Sequence, residues 1–268
     1  MLNTYIKRLL LLLLCGLPQT VFCGAREDGL EAFKLGQYET ALSYWTPLAE
    51  AGDREIQYNL GVMYSEGRGV DKNIEQAILW LTEAAEQEDA DAQFRLGKLY
   101  TTSKDIKPDY STAEYWFKQA AKKNHGTACY YLAQLYAHGK GVSKDEELAM
   151  RWYYKGADNG NTASQYNLGY VHEHGLGIPK NLPEAYRWYD IAARNGAADA
   201  QANLGRLLLS GLGTKKDKVL AYVWFKLAAE QKINSARINA QFTFKQLNEN
   251  DKQQAIALFE DYKKKFLK

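Results

Sequence analysis

The sequence predicts an all-α fold, a solenoid of helix-turn-helix repeats, because two independent patterns share one period. Tryptophan recurs every 36 residues, at Trp80, Trp116, Trp152, Trp188 and Trp224. A glycine-containing loop recurs in the same register, as EGRGV, HGKGV, HGLGI and SGLGT. One pair of short helices cannot bury its apolar face alone, so neighbouring repeats are expected to stack.

The glycine loop is interpreted as a turn between two helices. Inward positions before the first loop recur at the spacing of one helical face, at Gln57, Leu60, Gly61 and Tyr64. A phosphate-binding loop would instead follow a strand and precede a helix N-terminus. Gly67 is therefore expected to end a helix in the left-handed conformation, and Gly69 to bend the chain again.

Each repeat is predicted to contain a helix A, such as Arg54 to Ser65, and a helix B, such as Ile74 to Gln87. Helix B presents small residues that let the backbones approach, beside a tryptophan that we interpret as core. Its inward residues are Ala77, Trp80, Leu81, Ala84 and Ala85. Side-chain oxygens are expected to cap the B helices at Asp71, Asp109, Asn181 and Asp217.

The pattern divides the chain into four parts. Residues 1–25 are a predicted signal peptide, and residues 26–53 an N-terminal capping helix pair. Residues 54–232 contain five repeats, and residues 233–268 a divergent repeat and a capping helix. That last helix carries the predicted apolar stripe Ala255, Ile256, Leu258 and Phe259. Terminal repeats need such caps because one stacking face has no neighbour.

The first residues have the three regions of a secretory signal peptide. Lys7 and Arg8 precede the apolar run Leu9 to Leu14, and Ala25 ends a stretch of small residues. We expect cleavage after Ala25 and a periplasmic or secreted protein. Lipidation of Cys23 is the alternative, although bulky Phe22 precedes it. The run is too short for a comfortable membrane span, so no integral membrane segment is expected after cleavage.

Charge and cysteine content narrow the function classes. Removing residues 1–25 lowers the 34 basic residues to 32, which balance the 32 acidic ones. A neutral chain has no bulk attraction for nucleic acid, so no nucleic-acid partner is predicted. Cys129 is then the one cysteine left, and no internal disulfide is possible. It occupies the inward glutamine column, where it is interpreted as a buried small residue.

The segments AQFRLGKLY and SQYNLGYVHEHGLGIPKNLPEAYRWYDIAARNGAADAQANLG resemble Sel-one-like repeats, which are related to the tetratricopeptide repeat. The resemblance implies a right-handed α/α superhelix and protein–protein interaction, often in bacterial envelope or secreted proteins. Ser103 and Asp105 replace the loop glycines of the second repeat, so that turn is expected to differ. Ala133 and His172 also depart from the family's Gly and Tyr positions.

The histidines are the strongest candidates for metal chemistry in the sequence. His138 and His174 occupy equivalent places 36 residues apart, near His172 and Glu173, which is compatible with a metal. A helix C-terminus alone accounts for two such histidines, so no metal and no cofactor are predicted. The terminal lysines Lys263, Lys264, Lys265 and Lys268 are likewise interpreted as a solvated last turn rather than a membrane contact.

Some disulfide-rich relatives are associated with β-lactam binding or hydrolysis, but this chain lacks a cysteine pair in each repeat. The leading hypothesis is therefore an exported scaffold without catalysis, which binds a protein or peptide through its concave helix-A face. Two alternatives stay open. One is an envelope enzyme or accessory acting on peptidoglycan or β-lactams, and the other is a secreted effector that binds host-cell proteins.

The predicted partner-binding residues lie on the side of each A helix opposite its core positions. They are Arg95, Lys98, Tyr131, Gln134, Asn167, Tyr170, Asn203 and Arg206. Tyr131 and Tyr170 are expected to be apolar anchors, and the basic residues to pair with acids of the partner. Aromatic and arginine side chains among adaptable polar groups are a common composition of binding sites.

Overall fold

The computed structural model describes residues 19–267, in which every regular element is an α-helix. The helices are α1 (Gln19–Lys34), α2 (Tyr38–Glu50), α3 (Arg54–Glu66), α4 (Ile74–Glu86), α5 (Ala90–Thr102), α6 (Tyr110–Lys122), α7 (Gly126–His138), α8 (Glu146–Asp158), α9 (Thr162–His174), α10 (Leu182–Arg194), α11 (Ala198–Ser210), α12 (Lys218–Glu230), α13 (Asn234–Lys245) and α14 (Glu249–Phe266). Each helix from α2 to α12 has 13 residues. The predicted all-α repeat fold is confirmed.

The helices form two compact units, one ending at His125 and the other beginning at Gly126. The first unit contains α1 to α6, packed as consecutive pairs. The second contains α7 to α14, in which α12 contacts both α13 and α14. Most of the predicted signal peptide lies in residues 1–18, outside the described residues. Ala25, where cleavage is expected, lies within α1 and packs against the first apolar core.

The turns from A to B helices have the predicted glycine conformations. Gly67 follows α3 with φ of 69°, and its N–H donates to the carbonyl of Met63. Gly69 has φ of 70°, another left-handed value that favours glycine. The second repeat differs, as expected, because Ser103 is extended after α5. Its Oγ accepts a hydrogen bond from the Asp105 backbone N–H instead.

Side-chain caps begin the B helices, with one correction to the sequence prediction. Asp109, Asn181 and Asp217 accept backbone N–H bonds as predicted. Asp71 does not cap α4, because the helix begins three residues later, at Ile74, and Asn73 accepts from the Gln76 N–H. Asp145, which the prediction omitted, caps α8 in the same way. An Asx side chain immediately before the first helical residue is therefore the shared device.

The tryptophan column is buried only toward the C-terminal end. Trp224 is fully buried and Trp188 nearly so, whereas the others are half-buried. In every B helix the next residue along the chain is buried as well, and in the first four repeats it is buried more deeply than the tryptophan. These residues are Leu81, Phe117, Tyr153, Tyr189 and Phe225. Leu81, which the sequence prediction places inward together with Trp80, is thus the more deeply buried of the two.

In four of the five repeats that deep side chain lies on a glycine of the paired A helix, whereas the third repeat has Ala133 at the equivalent position. A Cβ atom added to Gly97 would stand 2.5 Å from Cε1 of Phe117, and one added to Gly169 would stand 2.6 Å from Cδ1 of Tyr189. Contacts this short do not occur between real side chains. The missing side chain is what lets the two helices of a repeat come together.

Helix α14 packs on α12, the B helix of the last full repeat. Phe259 is buried, and the rings of Tyr262 and Phe266 lie 5.3 and 5.7 Å from that of Trp224. The predicted apolar stripe needs one correction, because Ile256 is 49% exposed. The face of α14 that contacts α12 instead includes Phe259, Tyr262 and Phe266.

Candidate functional site

Buried glutamines fix the A helices that carry the predicted binding residues. Gln93 Nε2 donates to the carbonyl of Ala85, and Gln201 Nε2 to that of Ala193, at 3.0 and 3.1 Å. Gln57 and Gln165 make the same bond to the carbonyl eight residues earlier. These carbonyls lie at the ends of the preceding B helices, where each also accepts the backbone N–H of the residue three positions later, so the glutamine amide occupies the second lone pair. The A helices are thereby held at a regular interval within each unit.

In the first unit, Arg95 is engaged inside the protein. Its Nε donates to the Tyr58 hydroxyl at 2.9 Å, and Nη1 donates to Glu66 Oε1 at 3.2 Å. The guanidinium carbon also stands 5.6 Å from the centre of the Tyr58 ring. Arg95 therefore orders this surface rather than presenting a free charge. Lys98, one turn further along α5, is exposed.

In the second unit, Gln134 and Asn167 also make internal bonds. Gln134 Nε2 donates to the Tyr153 hydroxyl at 2.6 Å, and its Oε1 lies 3.0 Å from His138 Nε2. Asn167 Nδ2 donates to the carbonyl of Ala163 at 2.7 Å. Tyr131 is half-buried beside Tyr130, with ring centres 5.5 Å apart. Each of these three predicted contact side chains is therefore only partly exposed to solvent.

Tyr170 is the predicted anchor that is most open to solvent, with 41% of its surface exposed. Its ring centre lies 4.3 Å from that of His174 on the same helix. Asn203, on the next A helix, is half-buried. Tyr170 thus combines an exposed apolar ring with a fixed position on α9.

Arg206 forms an ion pair with Glu173, which the sequence interpretation did not foresee. Glu173 is 7% exposed, and its other carboxylate oxygen accepts the Tyr189 hydroxyl at 3.1 Å. Burial and then the Glu173 charge raise the pKa of Tyr189, so its phenol remains a donor. Like Arg95, Arg206 pairs with an acid of this chain.

The histidines do not converge. His138 bonds to Gln134 at the end of α7, whereas His172 Nε2 lies 2.8 Å from the Tyr154 hydroxyl. Burial lowers the pKa of His172, which favours the neutral imidazole. Across residues 19–267, no group of three His, Cys, Asp or Glu side chains is placed to hold a metal ion. Cys129 is buried, and burial raises the pKa of its thiol, which opposes nucleophilic reactivity.

Five consecutive segments match the model of the Sel1 repeat, at residues 55–89, 90–125, 126–161, 162–196 and 198–232. The chain belongs to the Sel1 repeat family. Sel1 repeat proteins generally serve as scaffolds for protein interaction and are typically without catalysis. None of the helices between residues 19 and 267 has the length and apolar character needed to cross a bilayer.

Solved Sel1 repeat proteins share the fold. A Sel1 repeat protein from Oxalobacter formigenes is 27% identical, with a TM-score of 0.71 over 89% of this chain and 96% of its own. The antigen c5321, described as protective and present in uropathogenic Escherichia coli strains, is 28% identical with a TM-score of 0.54. That match covers 91% of this chain and 61% of the antigen. No curated protein sequence matches the chain.

Proposed function

We propose that this Sel1 repeat protein is an exported scaffold that binds a protein segment along its A helices, without catalysis of its own. The observation that carries the proposal is the exposed ring of Tyr170, held on a rigid helix among polar side chains. A large aromatic side chain on a fixed backbone loses little conformational entropy on binding, which makes it a favourable anchor.

Within the second unit, the proposed contact residues are Tyr131, Gln134, Asn167, Tyr170, Asn203 and Arg206. The internal bonds of Gln134, Asn167 and Arg206 hold these side chains in place. Preorganised polar groups cost less entropy when a partner binds, so they support the anchors without each needing a free charge. In the first unit, exposed Lys98 is the cation left to meet an acidic partner residue, because Arg95 is paired with Glu66.

The anchors are tested by changing Tyr131→Ala and Tyr170→Ala together. We expect partner affinity to fall by about 2 kcal/mol or more, because the rings would leave an apolar contact unfilled. The melting temperature should change little, since Tyr170 is exposed and Tyr131 half-buried. The partner is first identified by photo-crosslinking from position 170, and the affinity is then measured by calorimetry with the purified partner.

Two controls make this test specific. A crosslinker at Leu79, an exposed residue of a B helix, should not capture the same partner. The variant Tyr44→Ala removes a similarly exposed ring from α2 and should leave the affinity unchanged. An unaltered affinity in the folded double variant would exclude this face as the binding site.

Export is tested by the mass of the mature protein. Lys7, Arg8 and the following leucine run motivate the proposal that residues 1–25 are removed. Protein from its native host should then begin at Arg26 when its intact mass is measured. Replacing the leucine run by charged residues is the control, and it should retain the unprocessed chain in the cytosol. Full-length native protein from the cytosol would contradict export.

A further inference from the structure

The buried glutamines have a second hydrogen-bonding group, the side-chain carbonyl oxygen Oε1. In three repeats this oxygen accepts a hydrogen bond. The donor is an amide 30 residues later in the chain, at the end of the B helix of the same repeat. Gln87 Nε2 donates to Gln57 Oε1 at 2.7 Å, and Asn195 Nδ2 donates to Gln165 Oε1 at 2.9 Å. Gln231 makes the equivalent bond to Gln201 at 3.0 Å. A carboxamide donor is thus the regular companion of this acceptor.

The second repeat breaks this rule at Gln93. Gln93 is 5% exposed, and its Oε1 accepts no hydrogen bond from any of the residues 24–267. The residue 30 positions later is Lys123, whose ammonium group lies 2.6 Å from Glu88 Oε2 instead. A buried carbonyl oxygen without a donor carries a desolvation cost that a suitable ligand would relieve.

A pocket of about 520 Å³ lies beside this acceptor, within the first unit. Gln93, Tyr115, Trp116, Gln119 and Lys123 contribute to its lining. Tyr115 is 54% exposed, and its ring meets that of Trp116 edge to face at 5.0 Å. The pocket therefore combines two aromatic rings and one buried acceptor with a rim of charged side chains.

The ion pair over the pocket offers little resistance to a ligand. The Lys123 side chain is 45% exposed and that of Glu88 75% exposed. An exposed pair of this kind contributes only about 0 to 1 kcal/mol, so Lys123 is free to move aside. Glu86 and Glu88 balance the charges of Lys122 and Lys123 in the lining, so a neutral N–H donor, which avoids burying an unpaired charge, suits the acceptor best.

We propose that this pocket binds a protein segment carrying an asparagine or glutamine side chain. Its carboxamide NH₂ donates to Gln93 Oε1, in the place that Gln87, Asn195 and Gln231 fill in their own repeats. A neighbouring apolar side chain of the ligand packs against Tyr115 and Trp116. None of the eight residues proposed for the A-helix face lines this pocket, so the two sites are independent.

The test uses two blocked tripeptides titrated into the ¹⁵N-labelled protein. One is acetyl-Leu-Gln-Leu N-methylamide, and the other replaces glutamine by methionine, which has a similar shape but no NH₂ group. We expect the glutamine peptide to shift the Gln93 side-chain amide and the Trp116 indole signals. Its affinity should exceed that of the methionine peptide at least about tenfold, the effect of one hydrogen bond to a buried group. Equal affinities would overturn the proposal.

Two variants at Lys123 distinguish the effect of satisfying the Gln93 acceptor from the effect of removing the lysine charge. Lys123→Gln restores the donor that the other repeats have, so it should abolish glutamine-peptide binding. Lys123→Met removes the same charge without adding a donor, and it should retain binding. The Lys123→Gln protein should also melt about 2 to 4 °C above the Lys123→Met protein, because its acceptor is satisfied. Undiminished binding by Lys123→Gln would overturn the proposal, and so would equal melting temperatures.

Discussion

Replacing Gly169 by leucine is expected to destabilise the second unit by about 3 kcal/mol or more. A Cβ atom at this position already overlaps the Tyr189 ring, and the whole leucine side chain would displace it. Tyr189 cannot move without cost, because its hydroxyl donates to buried Glu173. Urea unfolding of Gly169→Leu, monitored by circular dichroism, measures the loss.

Two further variants identify the cause. Asn167→Leu adds the same side chain to the same helix at a half-buried position that faces away from Tyr189, and its effect should be far smaller. Tyr189→Ala opens space for the leucine, so the double variant should lose less stability than the sum of the two single changes. If the losses of stability were strictly additive, Gly169 would not be needed for the close approach of α9 and α10.

Deleting residues 251–268 is expected to cost on the order of 4 kcal/mol, the range seen when a large buried aromatic side chain is lost. The deletion removes Phe259 from the core and uncovers the fully buried ring of Trp224. We expect an earlier thermal transition and a larger fraction of aggregated protein on heating. Calorimetry and light scattering measure the two effects.

Point variants of α14 test the same packing without shortening the chain. Phe259→Ala should reproduce much of the loss, because that side chain is buried. Ile256→Ser should change stability by no more than about 0.5 kcal/mol, since Ile256 is half-exposed. Similar losses from both variants would contradict the orientation of α14 on α12.

The all-α repeat fold was predictable because periodicity in the sequence reports directly on packing. Side chains that pack equivalently recur at equivalent positions, and the left-handed turns restrict residues such as Gly67 and Gly175. Local details were less accessible. Asp71 and Asn73 are both good caps, and the prediction overlooked that Asn73 is the residue in the 36-residue register of Asp109, Asn181 and Asp217. The exposure of Ile256 likewise depends on the angle at which α14 crosses α12.

The candidate face was predictable as a set of positions, but not as a set of free side chains. Helical geometry placed Arg95 and Arg206 away from the core, and it said nothing about acids on neighbouring repeats. Glu66 and Glu173 occupy those places and pair with them. Glu173 precedes the loop glycine by two residues, so the sequence favoured a solvated helix end. Its burial depends on Tyr189 and Arg206, which are distant along the chain.

The buried Glu173 limits how the repeats of this protein can be duplicated or exchanged. Its two partners are Tyr189 in the same repeat and Arg206 in the following one. Moving the fourth repeat next to the first or the third repeat would put Val62 or Gln134 in the place of the arginine and leave a buried negative charge, which proteins tolerate poorly. Those two exchanges would therefore fail at this junction even though they preserve the family pattern, whereas the second repeat offers Lys98 at the same position. The ion pair between Glu173 and Arg206 therefore constrains which repeat can follow the fourth.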